Sequence, residues 1–467
     1  MSETPTTIVG TAVLEVFNPF DGAKIGDVHK HVHSDIDVIL GRARLGFTLS
    51  RSLSRFARHQ ILDRAAQLLR ERAEQASALI VREAGKTIRQ ARKEVSRAAM
   101  TLALSADAAR SNAGEVIPFD SFEGSENRRG WFTREPLGIV VAITPYNDAL
   151  NLVAHKLGPA IAAGNSVILK PSDFTPFTAQ FLVDLLVDAG LPDEIITVVN
   201  GDRSVAEALV GAREVRMVSF TGGFATGEAI ACGAGLKRLA MELGGNAPVI
   251  VFDDADIPAA VEACASGAFW AAGQNCVGVQ RILVQRAVYD EFRERFLNAT
   301  ALLRAGDPTD ATVDVGPMIT EAAAKRAEQL VYHATVAGGQ LLLGQRRVGS
   351  VYWPTVMEKV PLSCELWTDE AFAPIVVLEQ FDSEDDAVKL ANDIEFSLHA
   401  GTFTSDINRA LRVAERLQAG GVMINDSSDY RIDSMPFGGA KYGSMGREGV
   451  RFAFEEMTQP KVICINA

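Results

Sequence analysis

The sequence from Gly138 onward alternates between short apolar runs and longer segments with helical periodicity. The runs are rich in Val and Ile, carry almost no charge, and occupy residues 139–143, 166–169, 195–199 and 216–220. Each is followed by a segment whose apolar residues recur at helical spacing, at 152–163, 178–189, 204–210 and from about 225. Apolar strands that alternate with helices are typical of a parallel sheet buried on both faces. The pattern therefore predicts a doubly wound α/β domain of the nucleotide-binding kind.

The alternation restarts after Gly244-Gly245, with strands predicted at 248–252, 281–284, 375–378 and 421–424. Because 467 residues are too many for one hydrophobic core, a second doubly wound α/β domain is expected. Before the first strand, residues 34–110 place apolar and charged side chains on opposite faces of predicted helices. A polar segment at 121–133 interrupts the first domain. We predict that it pairs with the apolar terminal segment 461–465 to form a small β arm.

Charge and cysteine content argue against several classes of protein. The formal net charge of −13 disfavours nucleic-acid and anionic membrane partners, which the summed field would repel. No apolar run is long enough to span a membrane, and the first residues lack the basic start and apolar stretch of a signal peptide. The five cysteines are scattered, without a CxxC pair or metal-ligand spacing. We therefore expect a reduced, cytoplasmic protein without a bound metal.

Cys276 is the first candidate for chemistry. It follows Gly273-Gln274-Asn275 and an apolar, helix-like stretch at 263–271. A thiol on a glycine-flanked turn near helical N–H groups lies where a thiolate is stabilised. The alternative is a buried, inert cysteine that packs as a small hydrophobe.

Two further residues suit acyl chemistry around such a thiol. Glu242 stands among apolar residues at a predicted strand entry, beside Gly244 and Gly245, so desolvation should raise its pKa toward that of a general base. Asn147 ends the first long strand, where its amide could donate to an oxyanion together with the Cys276 backbone N–H. The alternatives are a surface glutamate at a helix end and a turn-forming asparagine.

These segments resemble the aldehyde dehydrogenase superfamily over nearly the whole chain, from about Val16 to the C-terminus. By this resemblance Asn147 is the oxyanion donor, Glu242 the general base and Cys276 the nucleophile. Two further segments match the family pattern, namely 370–374, whose glutamate holds the nicotinamide ribose, and the substrate-side turn 436–439.

The resemblance implies oxidation of an aldehyde to a carboxylic acid with NAD(P)+. The route is a thiohemiacetal and then a thioester on Cys276, and the presence of Glu242 favours water over coenzyme A as the final acceptor. It also implies an NAD-binding domain (1–120 and 138–243), a catalytic domain (244–448) and an oligomerisation arm (121–137 and 449–467). A homodimer or homotetramer is expected.

The cofactor is expected to bind the glycine-rich turn at 220–227, which by itself is also compatible with a plain βα turn. By resemblance Lys170 and Asp173 contact the adenosine ribose. A carboxylate there would repel a 2′-phosphate, so NAD is favoured, with NADP as the alternative because Arg203 could offset the charge. The expected cofactor-binding residues are Thr144, Pro145, Tyr146, Lys170, Ser172, Asp173, Thr221, Gly222, Gly223, Thr226, Leu243, Gly244, Glu370 and Phe372.

The substrate pocket is expected to hold an anion. By resemblance Arg97 and Arg431 face the substrate tunnel, and His155 follows Asn147 by eight residues, which on one helix would share its face. Two arginines and a histidine would bind a phosphate, phosphonate, sulfonate or carboxylate tail. The expected substrate-binding residues are Arg97, His155, Asn275, Arg431 and Phe437.

This pocket is similar to the branch of lactaldehyde, non-phosphorylating glyceraldehyde-3-phosphate and phosphonoacetaldehyde dehydrogenases. Three alternatives stay open at this point. The arginines could form structural ion pairs with acids such as Glu94 or Asp433. The enzyme could then oxidise neutral aliphatic or aromatic aldehydes. The chain could also be a non-catalytic member of the fold.

Overall fold

The computed structural model describes residues 12–111 and 113–466. The first eleven residues of the predicted span 1–120, together with residues 112 and 467, therefore lie outside the described part of the chain.

The strands are β1 (Val13–Phe17), β2 (Lys24–His29), β3 (Gly114–Ile117), β4 (Arg128–Pro136), β5 (Ile139–Ile143), β6 (Ser166–Lys170), β7 (Ile196–Val198), β8 (Val215–Thr221), β9 (Arg238–Glu242), β10 (Ala247–Val251), β11 (Val279–Gln285), β12 (Gln340–Leu343), β13 (Arg347–Val348), β14 (Val351–Tyr352), β15 (Thr355–Glu358), β16 (Ile375–Phe381), β17 (Phe396–Ser397), β18 (His399–Phe403), β19 (Gly421–Ile424), β20 (Ala440–Lys441), β21 (Ser444–Met445) and β22 (Thr458–Asn466). The helices are α1 (Ile36–Ser52), α2 (Arg55–Glu71), α3 (Ala73–Ala84), α4 (Ile88–Ser111), α5 (Asn151–Ala163), α6 (Pro176–Asp188), α7 (Arg203–Gly211), α8 (Phe224–Ala234), α9 (Ile257–Phe269), α10 (Tyr289–Ala301), α11 (Glu321–Val336), α12 (Glu365–Thr368), α13 (Glu384–Asn392), α14 (Ile407–Arg416) and α15 (Val450–Glu456).

The first large sheet has six strands in the order β21-β9-β8-β5-β6-β7. The five strands from β9 to β7 are parallel, and β21 adds an antiparallel edge. Helices α5 to α8 follow its strands, and separate apolar clusters cover its two faces. The alternation in the sequence therefore predicts β5, β6, β7 and β8 correctly, because these strands are largely buried, whereas β9 and β21 were not predicted.

The second large sheet has seven strands in the order β12-β15-β16-β11-β10-β18-β19. All neighbours are parallel except the antiparallel edge pair β12–β15. Three of these strands, β12, β15 and β18, were not predicted from the sequence. The two doubly wound α/β sheets of the predicted fold class are both present, and each has a large buried core.

A third sheet, β22-β4-β3, forms the small β arm. The predicted pairing of the polar segment with the chain end is present, with Thr133 opposite Lys461. Two strands and one helix do not follow the predicted domain spans. Strand β3 joins the arm rather than the first domain, β21 joins the first sheet rather than the second domain, and α15 packs on α5 rather than in the arm.

Helix α5 matters most for the site, because all of its residues are buried, including His155 and Lys156. Helices α2 and α4 pack beside each other, and α4 packs on α5, so α4 forms one wall of the cavity described below. Within residues 12–111 and 113–466, none of the helices combines the length and the apolar character needed to cross a membrane.

Candidate active site

A cavity of about 640 Å³ brings the three proposed catalytic residues together. Asn147 follows β5, Glu242 is the last residue of β9, and Cys276 follows the 3-10 turn after α9. The sequence suggested that Glu242 lies at the entry to a strand. In the structure it is instead the last residue of β9. The other predicted residues that line the cavity are Arg97, Pro145, Tyr146, Thr221, Gly222, Gly223, Leu243, Asn275, Glu370, Phe372, Arg431 and Phe437.

The backbone before Cys276 is left-handed at three consecutive positions. Ala271, Ala272 and Gly273 have φ values of 49°, 55° and 68°. A Cβ on Gly273 would collide with the carbonyl oxygen of Ala373, so this position requires glycine. A non-glycine residue in this region costs on the order of 1–3 kcal/mol and persists only where its surroundings hold it. The turn is therefore strained in order to present Cys276 to the cavity.

The side chain of Gln274 holds this turn in place. Its amide donates to the Ala271 carbonyl at 3.1 Å, and its oxygen accepts from the Ile319 N–H at 2.9 Å. The amide of Asn147 donates to the Gln274 carbonyl at 3.0 Å. Since an amide NH₂ has two hydrogens, the second remains available to an oxyanion in the cavity. Asn147 thus couples the end of β5 to the nucleophile loop.

Cys276 is not a stabilised thiolate in this arrangement, contrary to the expectation from its turn. Burial raises the pKa of the Cys276 thiol, and the nearby Glu370 carboxyl raises it further. The thiol packs against Val277, Leu398 and Phe437, which form a small apolar cluster. The sulfur is therefore protonated at neutral pH, and nucleophilic attack needs a base to take the proton.

Glu242 has the properties of that base. It is buried, and within the described residues its Oε2 atom has no hydrogen-bond partner. Burial raises its pKa well above the ordinary value for glutamate, and the negative charge of Glu448 adds to this effect. A carboxyl with a raised pKa and a free oxygen can accept a proton near neutral pH.

Glu448 is a functional residue that the sequence analysis missed. Its carboxylate lies 3.1 Å from the Lys156 ammonium and 3.3 Å from the Arg431 guanidinium. Although burial opposes it, the charges of Lys156 and Arg431 lower the pKa of Glu448 to about 2. Glu448 therefore stays ionised beside Glu242. Its only sequence signal is an acidic residue closely following the 436–439 turn, which is not specific.

The two predicted arginines do line the cavity, and both also contact carboxylates. Arg97 donates to Asp433 at 2.8 Å and lies 3.5 Å from Asp148. Arg97 therefore forms the ion pair with Asp433 that was one of the alternatives from the sequence. The other candidate acid, Glu94, pairs instead with Lys86 at 2.8 Å.

Arg431 keeps more of its hydrogen-bonding capacity. Its guanidinium lies 3.6 Å from the centre of the Phe437 ring and 3.3 Å from Glu448. Its buried Nε has no partner among the residues that the structure describes. Arg431 is thus the more available of the two cations.

His155 does not line the cavity, so its prediction as a substrate residue is corrected here. Helix α5 begins at Asn151, and Asn147 therefore does not share a helical face with His155. The imidazole is fully buried, and burial lowers its pKa, so the neutral ring donates from Nε2 to Asp433 at 2.9 Å. The hydrogen bond from His155 positions the Asp433 carboxylate, which also accepts a hydrogen bond from Arg97.

The predicted cofactor residues form a surface that fits a dinucleotide. Helix α8 begins after Gly223 without a side-chain cap, which leaves backbone N–H groups for a pyrophosphate, and a Cβ on Gly223 would meet nothing within 4 Å. Glu370 is partly buried and accepts from the Gly245 N–H at 3.2 Å, and desolvation raises its pKa to about 8. Such a carboxyl can hydrogen-bond ribose hydroxyls.

The remaining predicted cofactor residues lie outside the cavity lining. Lys170 and Asp173 form an ion pair at 3.1 Å beyond the end of β6. Thr144 has a buried hydroxyl without a partner among the described residues, and Gly244 makes room for Glu370, whose Oε2 would lie 2.8 Å from a Cβ there. For Ser172 and Thr226 the structure shows positions in the βα turns after β6 and at the start of α8.

Several cavity residues had no role in the sequence analysis. They are polar or aromatic side chains from α4 and the loop before it, from the loop after β5, from the 3-10 turn after α9 and from the loop after β19, and include Lys86, Lys93, Asp148, Trp270, Asp426, Asp429 and Tyr430. No local pattern marks them, because each reaches the cavity only through packing. Within the described chain, no group of three or more His, Cys, Asp or Glu side chains is placed to hold a metal ion.

Comparison with known proteins identifies the family to which this chain belongs. The model of the aldehyde dehydrogenase family matches residues 8–463. Aspartate-semialdehyde dehydrogenase 1 of Pseudomonas canavaninivorans is 58% identical over 453 residues, which are 97% of this chain and 96% of that protein. 3-Sulfolactaldehyde dehydrogenase of Priestia aryabhattai is 39% identical over 454 residues, which are 97% of this chain and 95% of that protein.

The fold also agrees with that of a solved structure. The crystal structure of glyceraldehyde-3-phosphate dehydrogenase GapN from Methanocaldococcus jannaschii, complexed with NADP, has a TM-score of 0.94 and 38% sequence identity. The match covers 97% of this chain and 99% of that one. The chain therefore belongs to the aldehyde dehydrogenase family and is an NAD(P)-dependent oxidoreductase.

Proposed function

We propose that this enzyme oxidises a short aldehyde with an anionic tail to the carboxylic acid. The observation that carries the proposal is one cavity that holds Cys276, Glu242 and Asn147 together with the incompletely paired guanidinium of Arg431. The thiol and the base supply the chemistry, and the arginine supplies the selectivity.

The proposed first step forms a bond between the Cys276 sulfur and the aldehyde carbon. Glu242 takes the thiol proton, since burial keeps that proton on sulfur until a base removes it. The second N–H of the Asn147 amide and the Cys276 backbone N–H donate to the developing oxyanion. When the dinucleotide is bound, its nicotinamide would accept the hydride that leaves the aldehyde carbon.

The second half-reaction releases the acid. Glu242 first releases the thiol proton to solvent. It then takes a proton from water, the hydroxide attacks the thioester carbon, and the carbon–sulfur bond breaks while Glu242 returns its proton to the Cys276 sulfur. In balance, one aldehyde, one water and one NAD(P)+ give one carboxylic acid, one NAD(P)H and one proton.

The anionic tail is supported by charge and by the relatives. Arg431 and Arg97 both line the cavity, and Arg431 has an unpartnered Nε. The relatives above are named for aspartate semialdehyde, 3-sulfolactaldehyde and glyceraldehyde 3-phosphate, whose tails end in a carboxylate, a sulfonate and a phosphate. Neutral aliphatic or aromatic aldehydes are the competing substrates.

NAD is the proposed cofactor, with NADP as the competing one. The Asp173 carboxylate beyond β6 would repel a 2′-phosphate, although its pairing with Lys170 at 3.1 Å reduces that repulsion. A solved relative contains NADP, which supports NADP as the competing cofactor.

We further propose that the enzyme is a cytoplasmic homodimer or homotetramer. Strand β22 is an edge of the three-stranded arm and exposes Val462 and Ile465. An exposed apolar edge strand is a template for pairing with another copy of the chain. The cytoplasmic location is supported by the cysteines, all of which are unpaired in the described part of the chain.

The function is tested by following NADH absorbance at fixed pH with butanal, benzaldehyde, 4-oxobutanoate and glyceraldehyde 3-phosphate. The expected result is a higher kcat/KM for the two anionic aldehydes, and loss of all activity after alkylation or in Cys276→Ala. Activity that survives in Cys276→Ala would rule out the thiol mechanism. Equal kcat/KM for butanal and 4-oxobutanoate would rule out the anionic pocket.

A further inference from the structure

A buried lysine lies beside the loop that carries Asn147. Lys86 belongs to the short connection between α3 and α4, and its side chain is only 3% exposed. Its ammonium donates to Glu94 at 2.8 Å and also to the Asp148 carboxylate. Two acids from different segments of the chain therefore share one buried cation.

The ammonium of Lys86 is held in place and stays charged. Helix α3 ends at Gly85, whose φ of 70° is left-handed, and a Cβ there would come within 2.7 Å of the Pro317 ring. Although burial opposes it, the charges of Asp148 and Glu94 raise the pKa of Lys86. A buried charge that is fully paired in this way fixes the groups around it, because moving any of them would leave a charge without a partner.

Glu94 connects this cation to the start of helix α5. The residue that precedes the helix, Leu150, offers no side-chain hydrogen bond to the free N–H groups of the first turn. The Glu94 Oε1 atom accepts from the N–H groups of Leu150 at 2.7 Å and Asn151 at 3.2 Å, while its Oε2 atom accepts from Lys86. A carboxylate at this position stabilises the helix N-terminus. Glu94 therefore fixes the backbone that follows Asn147.

Asp148 fixes the same loop at the residue directly after Asn147. Lys86 contacts one of its carboxylate oxygens, and Arg97 lies 3.5 Å from the other. On the opposite side, the Asn147 amide donates to the Gln274 carbonyl at 3.0 Å. Asn147 is thus held between the buried ion cluster and the nucleophile loop. Since a displacement of about 1 Å at a catalytic group can cost about 100-fold in rate, such support matters for catalysis.

We propose that Lys86 and Glu94 are positioning residues that keep the Asn147 amide aligned with the oxyanion formed at Cys276. Their side chains are only 3% and 2% exposed, so they act through the loop and the first turn of α5 rather than by binding substrate. The inference rests on the proposed function, because it requires Asn147 to be the oxyanion donor. It predicts a loss in kcat without a matching rise in KM.

A double-mutant cycle with Asn147 tests this role. Asn147→Ala should lower kcat about 100-fold, as for the loss of one oxyanion donor. Glu94→Gln should lower kcat about 10-fold, because its NH₂ group would face the Lys86 ammonium and the loop would shift. Since Glu94 acts only through Asn147, the double variant should lose about 100-fold rather than about 1,000-fold. The KM for the aldehyde should stay within about 2-fold in Glu94→Gln.

Glu358→Gln is the matched control. Glu358 is a similarly buried carboxylate, 4% exposed, which pairs with Arg293 at 3.2 Å and does not line the cavity. This change should lower the melting temperature as Glu94→Gln does, but it should leave kcat per folded active site as it is. Its combination with Asn147→Ala should behave as Asn147→Ala alone.

Asp148→Ala provides a second variant at a less buried side chain, 23% exposed, should Glu94→Gln fail to fold. It should show the same lack of additivity with Asn147→Ala. Losses that multiply with that of Asn147→Ala would overturn the positioning role, and so would a fall in kcat/KM that comes from KM alone. An unaltered kcat in Asn147→Ala is a distinct result. It would refute the oxyanion donor of the proposed function, and this inference with it.

Discussion

The guanidinium of Arg431 lies 3.6 Å from the centre of the Phe437 ring, so two residues predicted separately form one contact in the cavity. The ring fixes the guanidinium plane, and Glu448 holds one of its nitrogens at 3.3 Å. The cation is therefore preorganised, and an anionic tail does not have to order a mobile side chain.

Replacing Arg431 by Leu should raise KM for 4-oxobutanoate by about 10- to 100-fold more than KM for butanal, because only the anionic tail loses a charged partner. The measurement is steady-state kinetics with both aldehydes. A fall in kcat with both is also expected, since Glu448 loses a neutralising cation. An equal rise in both KM values would place the arginine outside the substrate site.

Glu242→Gln should abolish both the first turnover and steady-state turnover. The amide can accept neither the thiol proton of Cys276 nor the proton of water, so kcat should drop by about 100-fold or more. Rapid mixing should then show no burst of NADH, and mass spectrometry should find no acyl group on Cys276. A burst of one NADH per active site would show that Glu242 is not needed for the attack of the thiol.

The same residue predicts the acid side of the pH profile. Because the pKa of Glu242 is raised by burial and by Glu448, the carboxyl becomes protonated and inactive at a higher pH than an ordinary glutamate. As pH falls through that raised pKa, kcat should fall. The profile of kcat against pH checks this, and a limb near the ordinary glutamate value would contradict it.

Alkylation of Cys276 by iodoacetamide should be slow at neutral pH and should accelerate with rising pH, because burial raises the pKa of the thiol. Glu370→Gln removes a carboxyl that is negatively charged above its own raised pKa of about 8, so this variant should react faster at pH values above 8. The modified peptide is quantified by mass spectrometry, which separates it from the exposed Cys232 and Cys464. A slower reaction in Glu370→Gln would contradict the electrostatic explanation.

Replacing Asp173 by Ala should increase kcat/KM with NADP relative to NAD by about 10-fold, because a repelling carboxylate is lost and Lys170 is freed to pair with a 2′-phosphate. The measurement is the ratio of kcat/KM values for the two cofactors with one aldehyde. Asp184→Asn, at an exposed position on α6, serves as the control. An unchanged ratio would show that Asp173 does not contribute to the choice between NAD and NADP.

Val462→Asp should dissociate the proposed oligomer, because it places a charge on the exposed edge strand β22. Light scattering after gel filtration gives the mass of the particle. Leu236→Asp changes a fully exposed leucine outside the arm and should leave the mass as it is. An unaltered mass in Val462→Asp would assign the interface elsewhere.

Much of the fold was predictable because its signal is local. A strand buried on both faces must be apolar along its length, and β5, β6, β8, β10, β11 and β16 show this in the sequence. Strands β12, β15 and β18 of the second large sheet were missed. Strand β12 is at a sheet edge with partly exposed residues, and β18 is interrupted by polar and glycine positions that only its neighbours cover.

The catalytic candidates were found in the same way, because each lies in a short motif near the end of a strand or in a glycine-rich turn. Their environments were not predictable. The turn at Cys276 suggested a stabilised thiolate, but the folded chain partly buries this residue near Glu370, and desolvation and the Glu370 charge raise the pKa of the thiol. His155 was predicted by counting along a helix that in fact starts four residues after Asn147.

The sequence by itself predicted the two parallel α/β sheets and the arm pairing, and its resemblance to the family pattern indicated the candidate thiol, base and amide. These depend on the character of neighbouring residues along the chain. Only the tertiary structure decided that Arg97 pairs with Asp433, 336 positions away, and that Glu448 lies beside Lys156, 292 positions away. The energy of a buried charge depends on which distant groups surround it, and no local periodicity records that information.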